Sequence, residues 1–502
     1  MHVFLGLDLG TTNCKVVAVD HQGQIVANAS APTPVLSSPD LGITEYDAGM
    51  LWAVIARLVR QVIEKLTPEQ KVSGLAVASM AESGVLVEKD GTPLTLIPTW
   101  YDHRTDQWTD WWRERLTETE IYDITGLPLD YLYSVNKILW LRENAPQAYS
   151  RARAYLCIAD WITYCLTGQF TTSYSMASRT MLFDIHRRSW SETMLQFSDL
   201  SPGLMPSALP SGTLAGKVSR SAEGVTGLVA GTPVFIGGHD HICAAIAAGA
   251  IEPGIVLDSA GTAEALMVTL ERPLPGELMA ASGLCCGCHT VRDRYYLLGG
   301  LICGGVLAWV SRILAGDDSP QSINHLMELA AASPPGANGV QFLPYLDGSG
   351  PPDRDPTPWG AWLGLGLRHT RSDLIRSAVE GLSYGIRYLL EIALTYTNIS
   401  VGELRCVGGG TRNAFWQQVK ADILGLPVDT PLVTDVTAQG AALLAAIGAQ
   451  AFRDEAEASQ VAYRSGMRYE FQPDRSAIYD GFYRRDYQKI YRANRPNQPQ
   501  DA

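Results

Sequence analysis

The chain has 502 residues, which is too long for one compact core, so we expect at least two domains. Hydrophobic residues make up 46% and charged residues 18% of the chain, which is typical of a globular protein. The formal net charge of -13 argues against a nucleic-acid-binding surface, and polar residues interrupt every apolar stretch that could span a membrane. The start of the chain lacks the features of a signal peptide, and the nine cysteines are irregularly spaced and odd in number, so a cytoplasmic location is expected.

Predicted strands and helices alternate along the chain. In chain order, the patterns predict strands at residues 3–9 and 14–19, a helix at 52–66, strands at 72–79 and 85–88, a mostly helical block at 108–210, a strand at 233–237 and a helix at 242–250. The strand–turn–strand pattern then begins again, with helices at residues 305–314, 323–332 and 372–396, a strand at 401–408 and a helix at 413–424. This alternation predicts an α/β protein.

Proline and glycine mark the candidate boundaries. Three prolines in residues 202–211 predict a linker or surface loop, and Glu252-Pro253-Gly254 is the strongest boundary near the midpoint. We therefore expect one domain over residues 1–250, a second over residues 251–450, and a helical extension with a polar tail over residues 451–502.

A turn rich in glycine and threonine follows the first buried strand, and a related turn opens the second half. The two turns are Asp8-Leu9-Gly10-Thr11-Thr12-Asn13 and Asp258-Ser259-Ala260-Gly261-Thr262. Such turns offer backbone N–H groups and hydroxyls to phosphate, and Asp8 would face a hydrated Mg²⁺. The alternative is a plain hairpin turn in both places. One turn per half predicts a nucleotide gripped between two related domains, and hence phosphoryl transfer.

The turn that contains Asp240 allows three interpretations. Asp240 precedes an apolar helix and could be its N-cap. A carboxylate on this glycine-rich turn could instead accept a proton from a substrate hydroxyl as a general base. His239 and His241 could bind a metal, but no third ligand is evident and the metal signal is weak.

Two further motifs are ambiguous alone. Cys285, Cys286 and Cys288 lack the second ligand pair of a zinc site, so buried packing is favoured over metal binding. The glycines of residues 408–410 end a predicted strand, where a flat ring could lie against bare backbone, or where the chain simply turns tightly into a helix.

Together these motifs resemble the FGGY family of carbohydrate kinases, over about residues 3–450. The most specific stretch runs from Gly360 through Asp373 to Gly381 and is similar to the family's C-terminal signature. Residues 137–141 are similar to the N-terminal signature, although Leu132 departs from its usual first position. The resemblance implies two actin-like, ribonuclease H-like domains of the actin/hexokinase/Hsp70 superfold, with the active site in the cleft between them.

The resemblance also implies roles for individual residues, with ATP and Mg²⁺ as cofactors. It implies that Asp240 is the catalytic base, that Asp8 faces the metal, and that Glu82, Trp100 and Asp102 contact the acceptor. It implies ATP-binding roles for Thr11, Thr12, Asn13, Gly261, Thr262, Gly304, Gly305, Gly409, Gly410 and Asn413. The implied activity is transfer of the γ-phosphate of ATP to a hydroxyl of a small linear sugar or polyol.

The residues around Glu82 bear on the acceptor. Glycerol kinases carry Arg-Glu here and xylulokinases Met-His, whereas this chain has Ala81-Glu82. A carboxylate accepts hydrogen bonds from sugar hydroxyls and repels a sugar acid. We therefore predict a neutral ketose or polyol, with a pentulose or hexulose ahead of glycerol; glycerol and a sugar acid such as gluconate are the alternative substrates.

The main alternative function is a non-catalytic, nucleotide-binding switch of the same superfold. A dehydrogenase is disfavoured because no G-x-G-x-x-G follows the first strand at the required place. Neither a nucleic acid nor a membrane is an expected partner, and a homodimer is compatible with these features.

Overall fold

The computed structural model describes residues 1–38, 43–261, 263–355 and 357–494. The strands of the first half are β1 (His2–Leu9), β2 (Asn13–Asp20), β3 (Ile25–Pro32), β4 (Leu36–Ser38), β5 (Ile43–Tyr46), β6 (Lys71–Ser79), β7 (Gly84–Val87), β8 (Ile97–Pro98), β9 (Ala154–Cys157), β10 (Thr171–Ser173), β11 (Phe183–Asp184), β12 (Ser189–Trp190), β13 (Ser207–Leu209), β14 (Leu214–Lys217) and β15 (Pro233–His239). Its helices are α1 (Ala48–Lys65), α2 (Gln107–Arg113), α3 (Glu118–Thr125), α4 (Ser134–Asn144), α5 (Pro146–Arg151), α6 (Ile158–Thr167), α7 (Tyr174–Ala177), α8 (Glu192–Phe197), α9 (Arg220–Thr226) and α10 (Asp240–Ala248).

The second half continues this alternation. Its strands are β16 (Ile255–Ala260), β17 (Glu264–Leu270), β18 (Cys285–Cys288), β19 (Tyr295–Leu301), β20 (Gln341–Leu343), β21 (Ala361–Leu363), β22 (Glu403–Val407), β23 (Val428–Pro431) and β24 (Ser465–Tyr469). Its helices are α11 (Gly276–Met279), α12 (Gly304–Ala315), α13 (Pro320–Ala332), α14 (Arg371–Thr395), α15 (Ala414–Leu424), α16 (Val436–Gly448), α17 (Glu455–Ala462), α18 (Pro473–Phe482) and α19 (Gln488–Asn494). Short 3₁₀ segments lie at His103–Thr105, Pro202–Leu204, Ala280–Ser282, Ala337–Gly339 and Gly409–Arg412, and a π-helical turn lies at Tyr483–Tyr487.

The same five-strand arrangement occurs in both halves. In the first sheet, β1 pairs antiparallel with β2, β2 with β3, and β1 lies parallel to β6, which lies parallel to β15. In the second, β16 pairs antiparallel with β17, β17 with β19, and β16 lies parallel to β22, which lies parallel to β23. Edge strands β14, β18 and β24 extend the two sheets. The predicted pair of actin-like, ribonuclease H-like domains is confirmed.

Local sequence explains the first long helix. The Asp47 carboxylate accepts a hydrogen bond from the Met50 N–H at 2.8 Å, which caps α1. Leu51, Ile55 and Val62 follow at helical spacing on the buried face. The helix begins four residues before the apolar pattern and ends ahead of Pro68, as expected from the missing N–H of proline.

The segment predicted as a proline-rich linker or surface loop contains regular secondary structure instead. Residues 202–211 contain the 3₁₀ turn Pro202–Leu204 and strand β13, which pairs in parallel with β10. The block predicted as mostly helical contains helices α2 to α8, but five short strands, β9 to β13, separate them. These strands are only two to four residues long, too short for the period-two pattern to be visible in the sequence.

Helix α16 belongs to the second half in sequence but packs against the first sheet. A Cβ placed on Gly6 of β1 would lie 1.7 Å from the Ala438 carbonyl oxygen, and one on Gly440 would lie 1.9 Å from the Cys243 carbonyl oxygen. Backbones therefore touch directly where α16 crosses β1 and α10. The domain limits at residues 250 and 450 stay a prediction.

The last described segment covers the second sheet. Strand β24 pairs with β23, and buried tyrosines of the closing helices, Tyr479, Tyr483, Tyr487 and Tyr491, pack into the core of the second half. The predicted polar tail beyond residue 494 lies outside the described residues. None of the helices described is both long and apolar enough to cross a bilayer.

Candidate active site

The carboxyl ends of three parallel strands lie side by side in the first sheet. Leu9 at the end of β1 is level with Ser79 at the end of β6, and Ser79 is level with His239 at the end of β15. The segments that follow these ends carry Thr11, Glu82 and Asp240, and Asp8 lies one residue before the end of β1. In open α/β sheets this edge is where ligands bind.

Asp8 is a buried carboxylate with an unused oxygen. It is 8% exposed, and its Oδ1 has no hydrogen-bond partner among the described residues. Burial, together with the nearby carboxylate of Asp240, raises the pKa of Asp8 to about 8, although Lys15 opposes the shift. A divalent cation would supply the missing partner and favour the ionised carboxylate, so Asp8 fits the predicted Mg²⁺.

Lys15 has a partner that the sequence did not indicate. Nζ of Lys15, at the start of β2, lies 2.9 Å from Oδ1 of Asp435. Asp435 immediately precedes α16 and adds a further negative charge near Asp8. This ion pair ties the first phosphate turn to the second half of the chain.

The first phosphate turn also contacts a predicted acceptor residue. The Gly10 N–H donates to the Asn13 carbonyl at 3.1 Å and closes the turn, leaving the Thr12 and Asn13 side chains exposed. The indole Nε1–H of Trp100 donates to Oγ1 of Thr11 at 3.2 Å. The predicted acceptor-binding and phosphate-binding segments are thus adjacent.

Asp240 is the first residue of α10, and its backbone N-cap is His239. The interpretation of Asp240 as the N-cap is therefore wrong. Oδ1 of Asp240 accepts the His241 N–H at 2.7 Å and lies 3.2 Å from Nε2 of His239 and 3.9 Å from Nε2 of His241. The side chain keeps 21% exposure, so a substrate hydroxyl could reach it.

His239 is a buried, neutral neighbour of Asp240. Burial, assisted by His241 and Arg179, holds the pKa of His239 well below its usual range. The ring nitrogen Nε2 can then donate to Asp240, while Nδ1 has no partner in the described part of the chain. Donor atoms of His239, Asp240 and His241 lie within 4.8 Å of one another, so the weak metal alternative is geometrically allowed.

Glu82 is paired with an arginine that sequence reasoning missed. Nε and Nη2 of Arg179 both lie 2.5 Å from Oε1 of Glu82, and both side chains are buried. Glu82 has a left-handed backbone, with φ 63, a conformation that is strained for a non-glycine residue and concentrates at functional sites. The argument that a free carboxylate would repel a sugar acid is weakened, because Arg179 offsets the charge of Glu82.

Asp102 and Lys137 both form hydrogen bonds that stabilise the segment around Trp100. Nε and Nη2 of Arg104 donate to the two oxygens of Asp102 at 2.8 and 2.7 Å, so both oxygens are engaged and its acceptor contact stays a prediction. Nζ of buried Lys137 donates to the carbonyls of Leu132 at 2.6 Å and Trp100 at 3.4 Å. Lys137 therefore fixes the backbone of Trp100.

The predicted nucleotide motifs converge at one edge of the second sheet. Glu264, the first residue of β17, is paired with Ala260 on one side and Leu301 on the other, so β16 and β19 end at the same edge of the sheet with β17 between them. Helix α12 begins three residues after Leu301. A Cβ on Gly410 would lie 2.7 Å from the Cβ of Ala260, which brings the Gly408–Gly410 turn against the second phosphate turn. This edge therefore carries Gly261, Gly304, Gly305, Gly409 and Gly410.

Of two other predicted ATP-binding residues, Asn413 and Thr262, the structure describes only Asn413. Asn413 caps α15, and its Oδ1 accepts the Trp416 N–H at 3.0 Å. Thr262 lies outside the described residues. The ATP-binding roles of the whole set stay predictions.

Asp258 occupies the position in the second turn that Asp8 occupies in the first, but it forms a buried ion pair in the core. Nζ of Lys420 contacts the carboxylates of Asp258 and Glu264, and all three side chains are fully buried. Cys406 donates from its Sγ to Asp258 at 3.1 Å. Asp8 and Asp258 each have an Oδ1 without a hydrogen-bond partner among the described residues. The two related turns differ because Oδ2 of Asp258 is bound to a fully buried lysine.

The cysteines of the second half pack in the core. All nine cysteines of the chain are free thiols, and Cys285, Cys286 and Cys288 lie on buried strand β18. Sγ of Cys285 lies 3.5 Å from the Tyr133 hydroxyl and 3.4 Å from Nη2 of Arg354. Strand β18 therefore forms part of the contact between the two halves.

Comparison with known proteins agrees with this geometry. A family model for the N-terminal domain of the FGGY family of carbohydrate kinases matches residues 3–247, and one for the C-terminal domain matches residues 257–449. The chain is 33% identical to an L-fuculokinase of Escherichia coli (92% of this chain, 96% of that protein) and 28% identical to a xylulose kinase of Staphylococcus epidermidis (98% and 96%). The crystal structure of a xylulose kinase from Rhodospirillum rubrum superposes with a TM-score of 0.89 at 27% identity, covering 98% of each chain.

Proposed function

The chain belongs to the FGGY family of carbohydrate kinases and is therefore a phosphotransferase with an alcohol group as acceptor, and we propose that it transfers the γ-phosphate of ATP to a hydroxyl of a small linear ketose or polyol. The observation that carries the proposal is the meeting of Asp8, Glu82 and Asp240 where β1, β6 and β15 end. Relatives named for fuculose and xylulose, both ketoses, support a pentulose or hexulose ahead of glycerol.

Asp240 is the proposed general base. Its partly exposed carboxylate accepts the proton of the acceptor hydroxyl as that oxygen forms a bond to the γ-phosphorus of ATP and the bond to ADP breaks. Nε2 of His239 lies 3.2 Å from Oδ1 of Asp240, and the His241 N–H donates to the same atom. These contacts leave Oδ2 as the oxygen that faces the acceptor.

Asp8 would hold Mg²⁺, which neutralises charge on the phosphate oxygens when it is bound. Thr11, Thr12 and Asn13 would contact the phosphates from the first domain, and Gly261 and Thr262 from the second. Gly304, Gly305, Gly409, Gly410 and Asn413 would line the rest of the nucleotide site. For phosphoryl transfer, the protein mainly has to position the reactants and stabilise charge on the phosphates.

Glu82 and Trp100 would position the acceptor. Oε2 of Glu82 is the oxygen that Arg179 leaves free to accept a hydrogen bond from a sugar hydroxyl. Glycerol and gluconate remain the alternative acceptors. A non-catalytic nucleotide switch is not favoured, because the relatives are carbohydrate kinases.

Acceptor-stimulated release of ADP tests the proposal. Wild-type protein with Mg²⁺ and ATP would be supplied with pentuloses, hexuloses, glycerol, other polyols and gluconate in turn. We expect a ketose to give the highest turnover. A complete panel without stimulation above the rate of ATP hydrolysis alone would contradict the proposed function.

We also propose a cytoplasmic location. Nine free thiols, most of them buried, fit a reducing compartment. The Mg²⁺ requirement and a homodimeric assembly stay predictions.

A further inference from the structure

We propose that Arg179 is a specificity-determining residue, whose Nη1 donates a hydrogen bond to a hydroxyl or carbonyl oxygen of the acceptor. This inference rests on the proposed kinase function and extends it. It assigns a subsite for a neutral oxygen of a ketose, formed by Arg179 together with Glu82.

Arg179 is held beside the catalytic turn by a short helix. Its backbone N–H donates to the Met176 carbonyl of α7 at 3.0 Å. On the same helix, Oγ of Ser175 accepts the His239 N–H at 3.1 Å. One element thus fixes both Arg179 and the residue that precedes the proposed base, and Arg179 lies close enough to help lower the pKa of His239.

The guanidinium of Arg179 has an unused donor in a buried position. The side chain is 8% exposed, Nε and Nη2 bind Glu82, and Nη1 has no hydrogen-bond partner in the described ranges. An unpaired donor on a buried charged group is unfavourable, and native proteins leave few of them. A bound ligand with an oxygen at this place would satisfy it.

Other buried polar atoms without a partner belong to residues near Arg179 or Glu82. The hydroxyls of Ser83 and Tyr296 and Nδ1 of His239 are buried and lack partners among the residues described. Ser83 follows Glu82 in the chain, and burial raises the pKa of Tyr296 while nearby Arg179 opposes that shift. Several unsatisfied polar atoms in one place fit a polyhydroxylated ligand better than an apolar one.

The charge balance favours a neutral oxygen. Because Glu82 already neutralises Arg179, the pair attracts a carboxylate less strongly than a free arginine would. A longer ketose carries more oxygen atoms than glycerol and can satisfy Nη1 in addition to Asp240 and Glu82. Arg179 would therefore favour ketoses over glycerol and over sugar acids.

A cycle that pairs enzyme variants with deoxy substrates tests this inference. The best ketose of the panel and its analogues, each lacking one oxygen, would be compared for wild type and Arg179→Lys, which keeps the charge but not the planar donor geometry. We expect one analogue to lose about tenfold or more in kcat/KM with wild type, and this loss to shrink or disappear in the variant. The KM for ATP should not change.

Further variants keep the result interpretable. If Arg179→Lys does not fold, the double variant Glu82→Gln with Arg179→Met removes both charges together and avoids a buried unpaired carboxylate. Because Glu82 is itself a proposed acceptor contact, its effect is subtracted by measuring Glu82→Gln alone. Arg188 pairs with Asp293 and lies 5.2 Å from the Tyr295 ring centre, so Arg188→Lys is the matched control and should behave as wild type.

Two negative results are distinguishable. If every analogue loses the same factor in wild type and variant, Arg179 has only a structural role and this inference is overturned while the kinase function stands. If wild type phosphorylates no member of the panel, the proposed function itself fails, and the inference fails with it.

Discussion

At the scale of single residues, the carboxylates near the strand ends differ in their partners, and each environment fits a different task. Asp8 has a free oxygen in a buried site, which suits a cation. Asp240 accepts the His241 N–H, lies 3.2 Å from Nε2 of His239 and is partly exposed, which suits proton transfer. Both oxygens of Asp102 bind Arg104, which suits support of the surrounding loop.

Asp8→Asn should raise the Mg²⁺ concentration needed for half-maximal activity, with little change in the KM for the acceptor. The reason is that a neutral amide cannot offset the positive charge of Mg²⁺ as a carboxylate does. Asp20 is equally buried, at 8% exposure, and lies at the other end of the same hairpin. Asp20→Asn is the matched control for stability. An unchanged Mg²⁺ dependence in Asp8→Asn would remove Asp8 from the metal site.

Lys137 gives a prediction for pH dependence. Burial lowers the pKa of Lys137 to about 8, although Glu82 opposes the shift. Because this pKa lies below the unfolded value of about 10.4, the cost of burying the ammonium is complete below a pH of about 8 and disappears as the pH rises toward the unfolded value. The difference in unfolding free energy between wild type and Lys137→Met should therefore shift in favour of wild type between about pH 7 and pH 10.

Urea unfolding at both pH values measures this difference. A difference that stays constant would mean that Lys137 is not desolvated in the folded protein. A shift in favour of the variant as the pH rises would contradict the predicted sign.

At the scale of elements, the local motifs were predictable and the long-range partners were not. Both phosphate turns lie where the sequence predicts, because a glycine turn after a buried strand is encoded by consecutive residues. Arg179 and Glu82 are 97 residues apart, and Lys15 and Asp435 lie in different halves of the chain. Without covariation or a structure, a single sequence carries no signal that pairs them.

Close backbone packing between β1 and α16 gives a prediction at this scale. Gly6→Ala should destabilise the protein by about 1–3 kcal/mol, because its Cβ would overlap the backbone of Ala438 and Ala442. Gly224 in α9 has open space around it, with no atom within 4 Å of the position that a Cβ would take. Gly224→Ala, the matched control, should stabilise by about 0.5–1 kcal/mol. Thermal or urea unfolding compares the two, and a tolerated Gly6→Ala would contradict the close approach of α16.

At the scale of the whole molecule, the two halves contact each other through polar as well as apolar groups. Arg354 of the second half forms an ion pair with Asp130 of the first half. The Thr290 hydroxyl donates to the Ile242 carbonyl at 3.0 Å, two residues after Asp240. These contacts connect the domain that would bind ATP to the residues that would bind the acceptor.

The two-domain fold could be predicted from the sequence, whereas the identity of the acceptor could not. The duplicated hairpins and the alternation of strands and helices were sufficient to predict two related α/β domains. The acceptor would be chosen by the proposed contacts of Glu82, Arg179 and Trp100, which come from separate segments of the chain. Their arrangement is determined by tertiary packing, so the residue types near Glu82 alone could not identify the sugar.

The most direct test of the account is transfer of labelled γ-phosphate from ATP to a ketose, measured for wild type and Asp240→Asn side by side. We predict a phosphorylated sugar with wild type and a rate lower by about 100-fold or more with Asp240→Asn, which should still bind ATP. Glu192 opens α8 on the surface, so Glu192→Gln controls for loss of an acidic residue at a helix start and should keep wild-type turnover. Equal transfer by wild type and Asp240→Asn would contradict the account.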